Sequence, residues 1–535
     1  MRQWKNGMQW ITAALIAVPC FTFLHFFYPY HLYLKEQLLL FQATSDYFLS
    51  YFDKPAWLAL YAGDFFTQFF YFKGGGPTVI TVSLLVLWWL SLQAFKQFRF
   101  TGRWAAPASL VLVIPEFLML CGLHYKLGST FSFILALAAF LIYTRLRPRN
   151  SGLRSSLLLL FFIPFLYWTA GSGVFLFLLC VIIFTLVQKK PRIQYLIFPL
   201  CLALLLPPAS KSVYLLPAGK LYLYPRSQQT TLTIDMAWEK VLSMDSESFW
   251  GHWDYVLNLA DKYQLKNPVA SYFTNLALSQ TGMMPDRLMD YYQPATKGLF
   301  LPVSSESTPM TILFSNEVFF RLGDMNMAQH SAMLGMIFSP DGRSSRLIRR
   351  MADIHIINGE YDAAEKYLRM LEQTLFHKRQ ASVRREQIRT GSIPERANIP
   401  ALDSIRRGDD YVASLNILLE SNPGNKAALD YLLCYHLLNK DIPSFMEVYE
   451  RWVLKDGSRV PDLYSQAILI YLTQRNTPAH VVRSYGIPDN IIVDFMDYTR
   501  MFEEYKAQSG PLRKRFGKSY WFYYHFAVMV SNENK

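Results

Sequence analysis

The groups suited to acid–base work in the first 210 residues are few. There are five carboxylates, and four of them (Glu36, Asp46, Asp53 and Asp64) share the stretch 29–76. The fifth, Glu116, follows Pro115 inside an apolar run. A carboxylate at membrane depth is costly enough to be a functional candidate by default. The alternative for Glu116 is a protonated or water-exposed side chain near the surface, helped by a kink at Pro115. Glu36 and Gln37 open an amphipathic stretch, where a solvated helix face is the commoner role. His25 and His31 flank the end of the first apolar run; with no further ligand at useful spacing, packing or hydrogen bonding outranks metal binding. Gly74-Gly75-Gly76-Pro77 is not a phosphate loop, because no Lys-Ser/Thr follows and no strand precedes it. It suits a tight re-entry into the next span.

The elements that must position these groups are apolar helices. Runs of about 15–20 apolar residues, long enough to cross a hydrocarbon core, lie near 9–28, 77–95, 104–123, 129–145, 155–170, 171–188 and 193–208. With the first segment cytoplasmic, the inner connections carry Arg2, Lys5, Lys96, Arg99, Arg103, Arg145, Arg147, Arg149, Arg154, Lys189, Lys190 and Arg192. The outer ones carry only Lys35, Lys54, Lys73 and Lys126. This is the positive-inside bias, and seven spans place everything after about Pro208 outside the cytoplasm. The first run continues through Phe21, Phe23, Phe26 and Phe27 without a small-residue cleavage site, so it reads as an uncleaved anchor. Trp57–Phe72 reads as an interfacial helix, because Asp64, Thr67 and Gln68 cluster in its middle. The stretch 29–76 is then a long, largely helical outer loop.

From about 235 the pattern changes to amphipathic helices with marked turns, after a linker at 211–234. Arg321–Ala328, with Ala332, Gly335 and Pro340, matches the tetratricopeptide pattern. A second copy follows thirty-six residues later at Asn358-Gly359-Glu360-Tyr361. Weaker copies include Gly408 and Ala413, then Ala427–Trp452, where Lys440 stands in place of the turn glycine. Such arrays form solenoids whose concave face binds a protein or peptide. The basic run His377, Lys378, Arg379, Arg384, Arg385 and Arg389, ending in Gly391–Pro400, reads as a solvated insertion. The aromatic end, Phe516–Phe526, reads as a closing helix packed on the last repeat, with sugar stacking as the alternative.

The predicted fold class is therefore all-α: a bundle of about seven transmembrane helices over 1–210 and a helical-repeat domain over 235–535. Composition supports this division. Of 535 residues, 52% are hydrophobic and 17% charged, with a net charge of +13. Residues 1–210 hold 16 Lys+Arg against 5 Asp+Glu, and the remainder 37 against 35. The excess cations lie between apolar runs rather than on the soluble part, so the balance disfavours a nucleic-acid partner. The soluble half has no Gly-x-Ser-x-Gly or His-Glu-x-x-His, and Cys434 is its single thiol, so neither a metal nor another cofactor is expected.

Leu276–Gly282, Arg321–Ala328, Ile356–Tyr361 and the Phe516–Phe526 ending together resemble a multi-pass family from Bacteroides-type bacteria. The resemblance brings no established activity; it implies a Gram-negative inner membrane with the repeat domain in the periplasm. The architecture is also similar to multi-pass glycosyltransferases that use polyprenyl-phosphate sugars. These have a cytoplasmic start, a long first outer loop and a soluble domain outside. That likeness implies a lipid-linked sugar as partner and a loop carboxylate as general base, here Glu36 or Asp46, with Glu116 or Asp64 as a second acid. The sequence departs from that pattern in having no Asp-x-Asp pair and no acid directly after the first span. The expected role is a membrane-embedded platform for periplasmic partners, with the sugar transferase as the alternative.

Overall fold

In a computed structural model, the described residues are 2–148, 152–188, 193–226, 232–303, 307–339, 342–393, 410–454, 460–478, 482 and 484–528. Arg149, Lys189, Lys190, Arg192, Pro340, Gly408 and the segment 394–400 lie outside them. Every regular element among the described residues is helical. Five helices are long and apolar enough to cross a membrane: Gly7–Phe27, Gly75–Gln97, Leu127–Leu146, Gly152–Ala170 and Ile193–Tyr214. The other two expected spans are shorter apolar helices, Ala105–Cys121 and Gly173–Leu186. At 1.5 Å per residue, the 14 residues of the latter reach only about 21 Å, short of a hydrocarbon core of about 30 Å. Several helices thus fit a membrane protein, and five rather than seven meet the length criterion.

The chain divides into two units. The first comprises Met1–Glu239 together with two short pieces from much later in the sequence, Arg343–Ile348 and Leu368–Arg384. The Leu127–Leu146 helix is its hub, packing against the helices Trp57–Thr67, Gly75–Gln97, Gly152–Ala170 and Gly173–Leu186. Close approach at the first of these contacts depends on two glycines. A Cβ on Gly63 would stand 2.3 Å from the backbone nitrogen of Gly128, so that position must stay bare, and one on Gly128 would be tight at 3.0 Å from the Leu60 Cα. Ile80, Leu87, Phe140, Phe177 and Val181 fill the centre, while Trp10, Leu15, Trp89, Phe161 and Leu205 are exposed on the outer faces. Large apolar side chains on both sides of a helix are what a lipid surround requires. Trp57–Thr67 is an 11-residue helix, too short to span. Gly74 has φ +84° as it leads into Gly75–Gln97, the conformation expected of the glycine run.

The second unit comprises Lys240–Gly342, Arg349–Tyr367 and Arg385–Lys535. Neighbouring helices pack in pairs: Trp253–Tyr263 with Pro268–Gln280, Pro309–Leu322 with Met325–Phe338, and Lys426–Leu438 with both Tyr411–Ser421 and Ile442–Trp452. Their starts are set locally. Asn267, Thr308, Asp324, Asp410, Asn425 and Asp441 each accept a hydrogen bond from an N–H in the first turn of the helix that follows. Lys440 does occupy a left-handed turn position, at φ +59°, where glycine would be unstrained. In the Tyr520–Phe526 helix, Tyr520 and Trp521 are buried, and Trp521 Nε1 donates to the Gln466 carbonyl at 3.0 Å. Packing thus accounts for those two rings.

Candidate functional site

The four candidate carboxylates belong to the first unit, and the helix Tyr30–Gln37 organises the region around Glu36. Its N-terminal N–H groups have no partner within the helix, and Pro29 at the cap position offers no side-chain acceptor. Glu239 fills the gap: its carboxylate accepts from Tyr30 N at 2.7 Å and from His31 N at 3.1 Å. An anion there also suits the helix dipole. The same carboxylate pairs with His31 Nδ1, while His31 Nε2 lies 3.1 Å from Tyr28 Oη. His31 is therefore a buried hydrogen-bonding residue.

The other end of this helix is closed by the two late segments. Glu36 Oε1 lies 2.7 Å from His377 Nε2, and both side chains are buried. The Gln37 carbonyl accepts from Ser344 Oγ at 2.6 Å, and its side-chain oxygen from Arg346 at 3.2 Å. Gln42 accepts from Arg343 at 2.8 Å and donates to Gln373 at 2.6 Å, while Ala43 N donates to the Gln373 carbonyl at 2.7 Å. Phe376 fits among Phe69, Tyr71 and Phe72. The basic run is thus not simply a solvated insertion. Its first residue is buried against Glu36 because Phe376 and Leu371 anchor the segment, and Lys378 and Arg379 are exposed.

The other three carboxylates have separate environments. Asp46 is exposed in the short helix Ser45–Leu49. Asp64 is buried and accepts from Tyr51 Oη at 2.8 Å; Tyr51 Oη is in turn 2.9 Å from Tyr47 Oη. Glu116, 2% exposed, accepts from Tyr125 Oη at 2.8 and 2.9 Å, from Thr130 Oγ1 at 2.9 Å and from Arg226 at 2.9 Å. The guanidinium of Arg226 lies 3.9 Å from the centre of the Phe133 ring, so that face is covered as well. Glu36, Asp64 and Glu116 are therefore held by three different sets of partners. Lys35 donates to the carbonyls of Leu120 and Tyr125 at 2.6 and 3.1 Å, and burial pushes its ammonium down to about 8.

Among the described residues, no group of three or more His, Cys, Asp or Glu side chains could hold a metal. The partners that sequence reasoning missed are Glu239, His377 and Arg226, each more than a hundred residues from the group it meets. The available signals were weak: an apolar Leu375-Phe376 pair leading into the basic run, and a lone arginine in an aromatic stretch expected to be a linker.

A family of unknown function, DUF6057, matches residues 4–527. The chain belongs to this family. The DUF6057 match runs through both units. No curated protein and no solved structure matches the chain.

Proposed function

We propose that this protein is a multi-pass component of the inner membrane. In this reading seven segments cross, the first begins in the cytoplasm, and the region 235–535 stands in the periplasm as a tetratricopeptide-like platform for a protein or peptide partner. The observation that carries the reading is the engagement of the buried candidate carboxylates. Glu36 is held by His377, Asp64 by Tyr51, and Glu116 by Tyr125, Thr130 and Arg226. Acids bound in this way brace a fold, because a buried charge is retained only where partners offset its desolvation. The paired, side-chain-capped helices of the second unit suit a docking surface.

One contact favours a second reading. A carboxylate beside an imidazole is also the arrangement of a general base, so the Glu36–His377 pair supports transfer of a sugar from a polyprenyl-phosphate carrier to an extracytoplasmic acceptor. Complementation of a deletion strain separates the two. Glu36→Gln and Asp46→Asn leave the cellular phenotype intact at equal protein abundance if the protein is a platform. Loss of the phenotype at unchanged abundance overturns that reading in favour of the transferase. The orientation is tested with a cysteine introduced at exposed Lys297, which a membrane-impermeant maleimide labels in spheroplasts if the second unit faces outward.

A further inference from the structure

The second unit contains a groove that the platform reading does not require. Two adjoining cavities, of about 400 and 740 Å³, share Tyr292, Arg513 and Phe522 in their walls and are taken together as one cleft. Either volume falls in the roughly 300–1,000 Å³ range of small-ligand sites. Aromatic rings line it: Tyr292 is exposed, and Phe522 and Phe526 are half-buried with centroids 4.8 Å apart. Phe522 and Phe526 belong to the aromatic ending whose Tyr520 and Trp521 are consumed by packing.

The charge at the cleft has one sign to spare. Its lining carboxylate, Asp290, is engaged by Arg287 at 3.4 Å and Lys518 at 3.2 Å. Lys266, Lys297 and Arg513 also line it, all exposed and none within ion-pair distance of a carboxylate among the described residues. Arg513 instead lies 5.6 Å from the centre of the Phe522 ring. Two lysines without an ion-pair partner and an arginine beside half-exposed rings call for a ligand with a flat apolar face and negative charge. Single-stranded nucleic acid has both properties, but it needs an extended basic track, and residues 211–535 are nearly balanced, at 37 cations and 35 anions. A peptide adding as a strand needs a sheet edge, and the described residues contain no strand.

We propose that this cleft binds an acidic oligosaccharide, its pyranose rings stacked on Tyr292 and Phe522 and its carboxylates paired with Arg513, Lys297 and Lys266. The cleft stands whether or not the unit also serves as a docking platform.

The test is calorimetric titration of the full chain in detergent with trigalacturonate, its methyl-esterified neutral form and a triglutamate peptide. Trigalacturonate binds, and the neutral ester binds at least about tenfold more weakly, as expected when charge-assisted hydrogen bonds are lost. Arg513→Ala and Tyr292→Ala each weaken binding by about tenfold, with the thermal unfolding midpoint unchanged because both side chains are exposed. Absence of trigalacturonate binding overturns the proposal. So does equal binding of triglutamate, or binding indifferent to Tyr292→Ala, since either outcome reduces the cleft to a patch of charge.

Discussion

The ion pairs of the two units differ in how far apart in sequence their partners lie. In the first, Glu36 meets His377, His31 meets Glu239 and Glu116 meets Arg226 across sequence separations of 341, 208 and 110 residues. In the second, Glu317 is held by Arg321 four residues on and by Arg350 thirty-three residues on. Asp324, Asp410 and Asp441 there cap helices that begin at the next residue. One unit is tied by contacts that close very long loops, and the other mostly by near neighbours. The expected consequence is unequal cooperativity. A lost pair in the first unit frees a distant segment, whereas a lost pair in the second damages one helix or helix pair.

Glu317→Ala has the largest expected effect. Glu317 and Arg350 are 1% and 4% exposed, at 2.5 Å, so truncation takes the anion away from a buried guanidinium and costs about 3–5 kcal/mol in urea unfolding. A loss below 1 kcal/mol in that experiment would mean that the pair is not desolvated.

Glu239→Ala strips the helix Tyr30–Gln37 of its anion and His31 Nδ1 of its carboxylate, for about 2–3 kcal/mol. Limited proteolysis locates the damage, with new cleavage expected within 29–76. Cleavage confined to the second unit would contradict the contrast drawn here.

Asp430 sharpens the comparison from the other side, because its Oδ2 is buried without a partner while Oδ1 accepts from Tyr464 Oη at 2.9 Å. Burial raises its carboxyl to about 6. The folded state then holds a proton that the unfolded state releases near pH 4, so the associated stability is present below that pH and is lost as pH rises through about 6. Asp430→Asn should flatten this slope and raise stability at pH 7 by about 2 kcal/mol. An unchanged pH profile would show that the carboxyl does not titrate in that window.

The Glu36–His377 contact is best measured as a double-mutant cycle of Glu36→Ala and His377→Ala, with an expected coupling of about 1–2 kcal/mol. Strict additivity would reduce the contact to mere proximity. Asp441→Ala completes the series at about 1 kcal/mol, the usual value of a helix cap, seen as a small drop in thermal midpoint.

Local signals mark individual helix starts and turns in the second unit. Asp324 and Asp441 stand where a cap belongs, and even the departure at Lys440 marked a real turn. The apolar runs likewise located the long helices, but run length overstated Gly173–Leu186, whose helix is only 14 residues long. Of the candidate carboxylates, sequence placed all four on helices, yet said nothing of their neighbours.

What the sequence by itself determined is the all-helical character and the presence of several long apolar helices, while individual helix starts are set by side-chain caps. Those follow from periodicity, hydropathy and side-chain caps within a few residues. Only the tertiary structure decided that Glu36 faces His377, that Glu239 caps a helix two hundred residues upstream, and that Arg226 covers Glu116. A charge carries no mark of its partner when the two lie hundreds of residues apart. The pairing is set by packing, here the bare Gly63–Gly128 crossing and the seating of Phe376 among Phe69, Tyr71 and Phe72, which brings the ends of those loops together.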